Sequence, residues 1–485
     1  EEERSDKVEL RRRHADVVSA RRRLPPEIIA TFMILASEEP SLDTPSPAPY
    51  PNYSPVHTLM LVSREWYHVA CSTAQFWTSL KLDVSLPRYD DFDALSETLG
   101  RATQWFERAS ECLLTFSIKL RSGRDTNGFV WEYLRLISSR IGTLEIEMDQ
   151  EGDGGTVHNG TIFDEILTED GDVQNDQSTP TIWHNMTSFR YEDSTYTGPS
   201  RAYLGQFWKD SSKSFPSLKS FALLAPFIEF SPANLALWSK LTSVELGPLP
   251  EFDPVPALHI LGQCSSLLSC SLTFPNASLL RGLDRALYSE LPTVTLPHLT
   301  SLKVSTGSVL EYVAIGVLDH LVVPSLVKGS FILTDDYAWT SRLIPGIAAL
   351  IERSRCGLTF TELELRLRRG VNYMDRDMED LFAQTPMLEV YRLSGCKIDN
   401  DFLSITPRTV KLLEVDMHYY WVDYTRKAFV NLIEGRYVPR AGGEVEREPM
   451  KASLRFFDSP QREEAQERLD RVIEMSEGKL DVYMD

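Results

Sequence analysis

LTSVEL (residues 241–246), LLSCSL (267–272) and LTSLKV (299–304) share one spacing: apolar, two others, apolar, one other, apolar. The closing alternation has the two-residue period of a strand that buries one face. The same spacing recurs upstream as Trp77/Leu80/Leu82, Leu113/Phe116/Ile118, Ile141/Leu144/Ile146, Met186/Phe189/Tyr191 and Leu218/Phe221/Leu223. Downstream it returns as Phe360/Leu363/Leu365, Leu388/Tyr391/Leu393 and Val410/Leu413/Val415, with a weakened copy at Leu326/Gly329/Phe331. Successive copies begin 22 to 45 residues apart. Between them lie segments with helical periodicity, at 95–109 (Leu95, Leu99, Ala102 and Phe106 on one side), 341–355, 376–384 and 425–435. One copy arises by chance in an ordinary α/β domain with short apolar strands, but a dozen in order do not. Each strand–helix unit is too small to bury its own apolar face, so the pattern predicts stacked neighbours in a solenoid.

The expected fold class is therefore α/β. A short N-terminal helical module (24–82) precedes an irregular solenoid (83–485), with a curved parallel sheet and outer helices that resemble leucine-rich repeats. Residues 1–23 read as a charged leading helix, with Arg11–Arg13 and Arg21–Arg23 on its solvated face. Six prolines in residues 37–55 predict a semi-rigid loop without helix or sheet. A further insertion, 149–180, lies in an acid-rich stretch: residues 145–177 hold eleven acidic residues and no Lys or Arg, which predicts an exposed loop between repeats.

The totals narrow the function. Of 485 residues, 42% are hydrophobic and 25% charged, the balance of a folded chain, and no run approaches the ~18–20 apolar residues that a membrane span requires. A net charge of −20 repels phosphate, so neither nucleic acid nor a membrane is an expected partner. Six cysteines without a C-x-x-C pair suit buried thiols in a reducing compartment, and the expected location is cytoplasmic and/or nuclear.

Chemistry-bearing motifs are scarce. Asp149, Glu151, Asp153 and Gly154 match the start of a calcium loop, but its twelfth position is Gly160 where a bidentate Glu is required. Phosphate-cradling loops, a nucleophile elbow and H-E-x-x-H do not occur, and the nine histidines show no i, i+4 pairing. The expectation is a protein without catalytic residues, cofactor or metal.

The N-terminal module carries the sharper signal. In RRRLPPEIIATFMILA (21–36), two prolines open an apolar helix with Glu27 in its first turn, and Ile28, Ile29, Phe32, Met33 and Ala36 recur on one face. In VHTLMLVSREWYHVACSTAQFW (56–77), Leu59, Val62, Trp66 and Val69 step by three and four, predicting a second amphipathic helix. Leu24-Pro25-Pro26-Glu27-Ile28-Ile29, Phe32, Leu61-Val62-Ser63-Arg64-Glu65-Trp66 and Phe76-Trp77-Thr78-Ser79-Leu80 together resemble the F-box, in its fungal form, over roughly 60 residues. Ser63 stands where that family often has Cys, and the loop 37–55 is longer than usual. The resemblance implies a substrate-recognition subunit that docks on a Skp-type adaptor and through it joins a cullin–RING ubiquitin ligase. It implies adaptor contacts at Leu24, Pro25, Pro26, Ile28, Ile29, Phe32, Leu59, Val62, Arg64 and Trp66. The repeats would hold an unknown protein substrate on the residues between the apolar anchors, with Lys219, Glu245, Lys303, Glu362, Glu364 and Arg392 as candidates. The alternative is a non-catalytic solenoid scaffold outside any ligase, in which the helical module only caps the first repeat.

Overall fold

The computed structural model describes residues 10–13, 25–36, 41–42, 55–84, 92–121, 127–149, 183–193, 215–224, 235–247, 255–274, 291–306, 311–333, 342–367, 375–394, 405–416, 433, 450–455, 470, 473 and 480–484. Of the leading helix, residues 10–13 are described and are helical; the insertion beyond residue 149, and with it most of the calcium-loop match, lies outside the described residues. The chain divides into two compact units. The first falls within Glu1–Ile166, Asp170–Thr195 and Ser214–Ser217, and the second within Leu167–Glu169, Tyr196–Lys213 and Leu218–Asp485.

In the first unit, helix α1 (Pro26–Ala36) packs against α2 (Pro55–Met60) and α3 (Arg64–Ser72), and a 3-10 turn (Ala74–Trp77) leads into the sheet. The stretch 56–77 is thus not the single helix its periodicity predicts. Ser63 is extended (φ −161°, ψ 167°) and its hydroxyl accepts the Trp66 N–H at 3.2 Å, so an N-cap restarts the chain as α3. Leu61 and Val62 fall in the break and are exposed. Strand β1 (Ser41–Leu42) lies inside the proline-rich segment expected to exclude sheet and pairs parallel with β2 (Ser79–Asp83) through Ser41↔Lys81 and Leu42↔Leu82. Neither β1 residue is a proline, so both keep the N–H that a ladder requires.

Strands β3 (Leu114–Arg121), β4 (Ile141–Asp149) and β5 (Ser188–Asp193) follow in order, all parallel. Their register lines up two buried columns, Leu80–Phe116–Leu144–Phe189 and Leu82–Ile118–Ile146–Tyr191. Glu145, Glu147 and Asp149 belong to β4 and not to a loop, and Glu147 meets Lys119 of β3 at 2.9 Å. The first anchor of β3 is Leu114: an irregularity between Leu114 and Thr115 turns the expected Leu113 outward. Helices α4 (Phe92–Glu107) and α5 (Asn127–Ile137) connect these strands, and α4 buries Leu95, Leu99, Ala102 and Phe106 as its pattern predicts. Trp77 of the helical module is fully buried, with its ring 4.7 Å from that of Trp105 in α4, its indole N–H donating to the Ala70 carbonyl at 2.8 Å, and the Arg108 guanidinium over its face.

The second unit repeats the scheme. Strands β6 (Ser220–Leu224), β7 (Ser243–Gly247), β8 (Ser269–Thr273), β10 (Ser301–Thr306), β12 (Lys328–Leu333), β13 (Glu362–Arg366), β14 (Val390–Ser394), β15 (Leu412–Asp416), β16 (Met450–Arg455) and β17 (Leu480–Met484) pair in chain order, each parallel to the next. The short pair β9 (Val294–Thr295) and β11 (Leu321–Val322) forms a separate ladder. Between the strands run α6 (Leu235–Trp238), α7 (Val255–Gln263), α8 (Glu311–Asp319), α9 (Leu343–Ser354) and α10 (Asp375–Gln384); of the helix expected at 425–435 only Ile433 is described, helical and buried. Two anchor columns run across the unit: Phe221–Val244–Cys270–Leu302–Gly329–Leu363–Tyr391–Leu413 and Leu223–Leu246–Leu272–Val304–Phe331–Leu365–Leu393–Val415. All are buried.

A backbone relay sets the register. The Lys219 carbonyl accepts from the N–H groups of Thr242 and Ser243, that of Thr242 from Leu268 and Ser269, that of Leu268 from Thr300 and Ser301, and that of Thr300 from Val327 and Lys328. Val327, Thr361 and Glu389 continue it. Because the side-chain period is two, a one-residue slip would turn every anchor outward, so relay and apolar column enforce the same alignment.

Candidate functional site

Two surfaces gather the candidate residues. On the helical module, α1 starts where the Pro25 carbonyl accepts from both Ile28 N–H and Ile29 N–H, at 2.9 and 3.1 Å. The helix then divides its apolar residues. Ile29 (1% exposed) and Met33 (0%) are sealed, while Ile28 (43%), Phe32 (56%), Ile34 and Leu35 stay exposed. Ile29 is thereby removed from the expected adaptor contacts: neighbours in sequence on a helix lie about 100° apart, and the packed side took Ile29 and left Ile28. Pro25, Pro26 and Arg64 are exposed, Leu59 and Trp66 half-buried, and Val62 60% exposed in the break before α3; Leu24 lies outside the described residues. Leu61 and Tyr67, absent from the expected contacts, add exposed apolar surface on the same short helical hairpin.

The second surface is the face of the second unit's sheet that points away from the anchors. Register gathers five of the six candidate substrate residues there: Glu245 on β7, Lys303 on β10, Glu362 and Glu364 on β13, and Arg392 on β14. Lys219 is exposed in the turn ahead of β6. The charges are cross-linked. Lys328 meets Glu362 at 3.3 Å, Arg392 meets Glu414 at 2.6 Å and Glu362 at 3.9 Å, and Arg366 meets Glu364 at 2.6 Å. Burial pushes the Glu364 carboxyl up, but the Ser330 hydroxyl donating at 2.6 Å and the Arg366 guanidinium outweigh it and hold the group below the usual carboxylate range. Between β7 and β13 this face is hollowed into a trough of about 310 Å³, because small side chains (Ser243, Ser269, Ser271, Ser301, Ser330) occupy its floor. Sequence reading chose the charged residues here; the serines that make the depression were legible only as a column of small residues once the register was known.

Among the described residues no group of three or more His, Cys, Asp or Glu side chains could hold a metal ion, and no helix is long and apolar enough to cross a membrane. Burial raises the thiols of Cys264, to about 12, and Cys356, to about 11, the reverse of an activated nucleophile.

No protein-family model and no curated protein matches the chain. Among solved structures, similarity is found to the Toll–Spatzle complex, described as a molecular hub in Drosophila development and innate immunity, at 12% identity and a TM-score of 0.31, covering 84% of this chain. The chain spans half (50%) of the length of that neighbour.

Proposed function

We propose that the chain is a non-catalytic recognition subunit. Its F-box-like helical module docks on a Skp-type adaptor, and so on a cullin–RING ubiquitin ligase, while the open face of its leucine-rich-repeat-like sheet holds a protein substrate in the cytoplasm or nucleus. The observation that carries this reading is the bare apolar surface of the module: Ile28, Phe32 and Val62, three of the residues that the resemblance assigns to the adaptor, are each more than two-fifths exposed. Ile28 and Phe32 lie one turn apart on α1, and exposed apolar side chains that adjoin on a folded module are characteristic of an interface.

Co-expression of the full chain with a Skp-type adaptor tests it. The pair co-purifies, and Ile28→Asp with Phe32→Asp abolishes the complex while the thermal melt of the chain stays unchanged. Failure of the wild-type chain to bind the adaptor overturns the reading. A solenoid scaffold outside any ligase is the second reading, supported by the burial of Ile29, Met33 and Trp77, which seal one side of the module against its own chain. That scaffold predicts a substrate-type partner on the sheet face and no adaptor.

A further inference from the structure

Lys303 stands apart from the other cations of the trough. It is exposed at the centre of the depression and, among the described residues, makes no ion pair or hydrogen bond, whereas Lys328 and Arg366 are each held by a carboxylate. Its cross-strand neighbours are both serines, Ser271 on β8 and Ser330 on β12, and Ser301 precedes it by two residues on the same face. The Ser271 hydroxyl oxygen is buried and has no hydrogen-bond partner among the described residues. Two strands away on either side the same row carries Glu245 and Glu364, about 9–10 Å off at the usual strand spacing.

We propose that Lys303, with the hydroxyls of Ser271 and Ser301, seats one acidic side chain, Asp or Glu, of the protein substrate. This deepens, and rests on, the reading of the sheet face as a recognition surface. A carboxylate accepts from the ammonium and from hydroxyls at once, and hydrogen bonds to a charged group are the stronger kind. The charge count selects the carboxylate over a phosphorylated side chain. One unpaired cation matches one negative charge, while the nearly doubled charge of a phosphate would face Glu245 and Glu364 on both flanks. The trough is wide enough for a few side chains of an extended segment and too small for a folded element.

The full chain, immobilised, is used to select from a display library of short unmodified random peptides, and the recovered peptides are remade and titrated. Expected are peptides sharing an Asp or Glu at one aligned position, with affinity falling about tenfold or more in Lys303→Glu, or when that residue becomes Lys, and recovering when both changes are combined. Lys303→Gln, a milder change, lowers affinity in the same direction, and unchanged thermal melts of both variants exclude misfolding. Peptides that bind regardless of Lys303, or without a shared acidic residue, overturn the seat but leave the recognition face standing. A wild-type chain that selects no peptide overturns both, and neither outcome bears on adaptor binding, which co-purification reads separately. Binding confined to phosphoserine versions of the same peptides overturns the carboxylate assignment.

Discussion

Gly329 occupies an anchor position that every other repeat fills with a larger residue. A Cβ there would lie 2.7 Å from the Phe331 ring and 2.9 Å from the Phe360 ring, so two aromatic neighbours already fill the space an anchor side chain would take. Restoring the repeat's own preference, Gly329→Leu, is accordingly expected to destabilise by about 1–3 kcal/mol through overpacking. Combination with Phe360→Leu should return part of that loss. Urea unfolding of the single and double variants checks it, and a more stable Gly329→Leu would refute the packing argument. The buried thiols make a second residue-scale prediction. Burial raises the pKa of Cys264 and of Cys270, the latter also through the nearby Cys264, so both remain protonated in the fold at pH values where the unfolded chain, with thiols near 9.0, releases its protons. The unfolded state then binds fewer protons, and stability is whole below about pH 9 and falls as pH rises, by up to about 1.4 kcal/mol per pH unit for each buried thiol. Denaturation curves between pH 8 and about 11 should show that slope, flattened in Cys264→Ala.

Helix α1 separates stability from recognition within two adjacent residues. Ile29→Asp places a charge in the sealed side and should cost several kcal/mol, whereas Ile28→Asp should stay within about 0.5 kcal/mol. Thermal melts of the two variants decide it; equal losses would mean that Ile28 is covered in solution. Helix α3 depends on its cap: Ser63→Ala removes the acceptor of the Trp66 N–H and should destabilise by about 1 kcal/mol, with Ser63→Asp restoring it. The same cap explains why the second predicted helix broke. Its apolar spacing ran through Leu59, Val62 and Trp66 without interruption, but a serine hydroxyl in extended geometry satisfies orphan N–H groups that a continuous helix would have bonded to its own carbonyls. The two-residue strand β1 was hidden for a related reason. The prolines around it marked the segment as a loop, and Ser41 and Leu42, which follow Pro40, pair only because β2 offers an edge.

For the whole chain, acidity governs solution behaviour. With a net charge of −20 and a sequence pI near 5.0, self-repulsion opposes non-specific association at pH 7 and is lost as pH falls to the pI. Solubility at low salt should pass through a minimum near pH 5.0, measured as protein left in solution after centrifugation. Further acidification acts on stability. The Glu364 carboxyl lies below its ordinary 4.5 in the fold, so its contribution is present above that value and lost as pH falls through the lower folded one. In Ser330→Ala, which removes one donor, part of this acid sensitivity should disappear.

The parallel strand–helix alternation was legible in the amino-acid sequence, because a strand that buries one face must repeat its apolar residues every two positions. Nearly every anchor so named is buried; Leu113 failed because a ladder irregularity has no apolar signature. The exposure of Ile28 beside the sealed Ile29, the break at Ser63 and the trough around Lys303 were decided only by tertiary structure. Periodicity states that a residue is apolar, but which apolar residues are covered depends on what packs beside them. A trough on a sheet face is made by residues distant in sequence whose common property, small size, has meaning only once register sets them side by side.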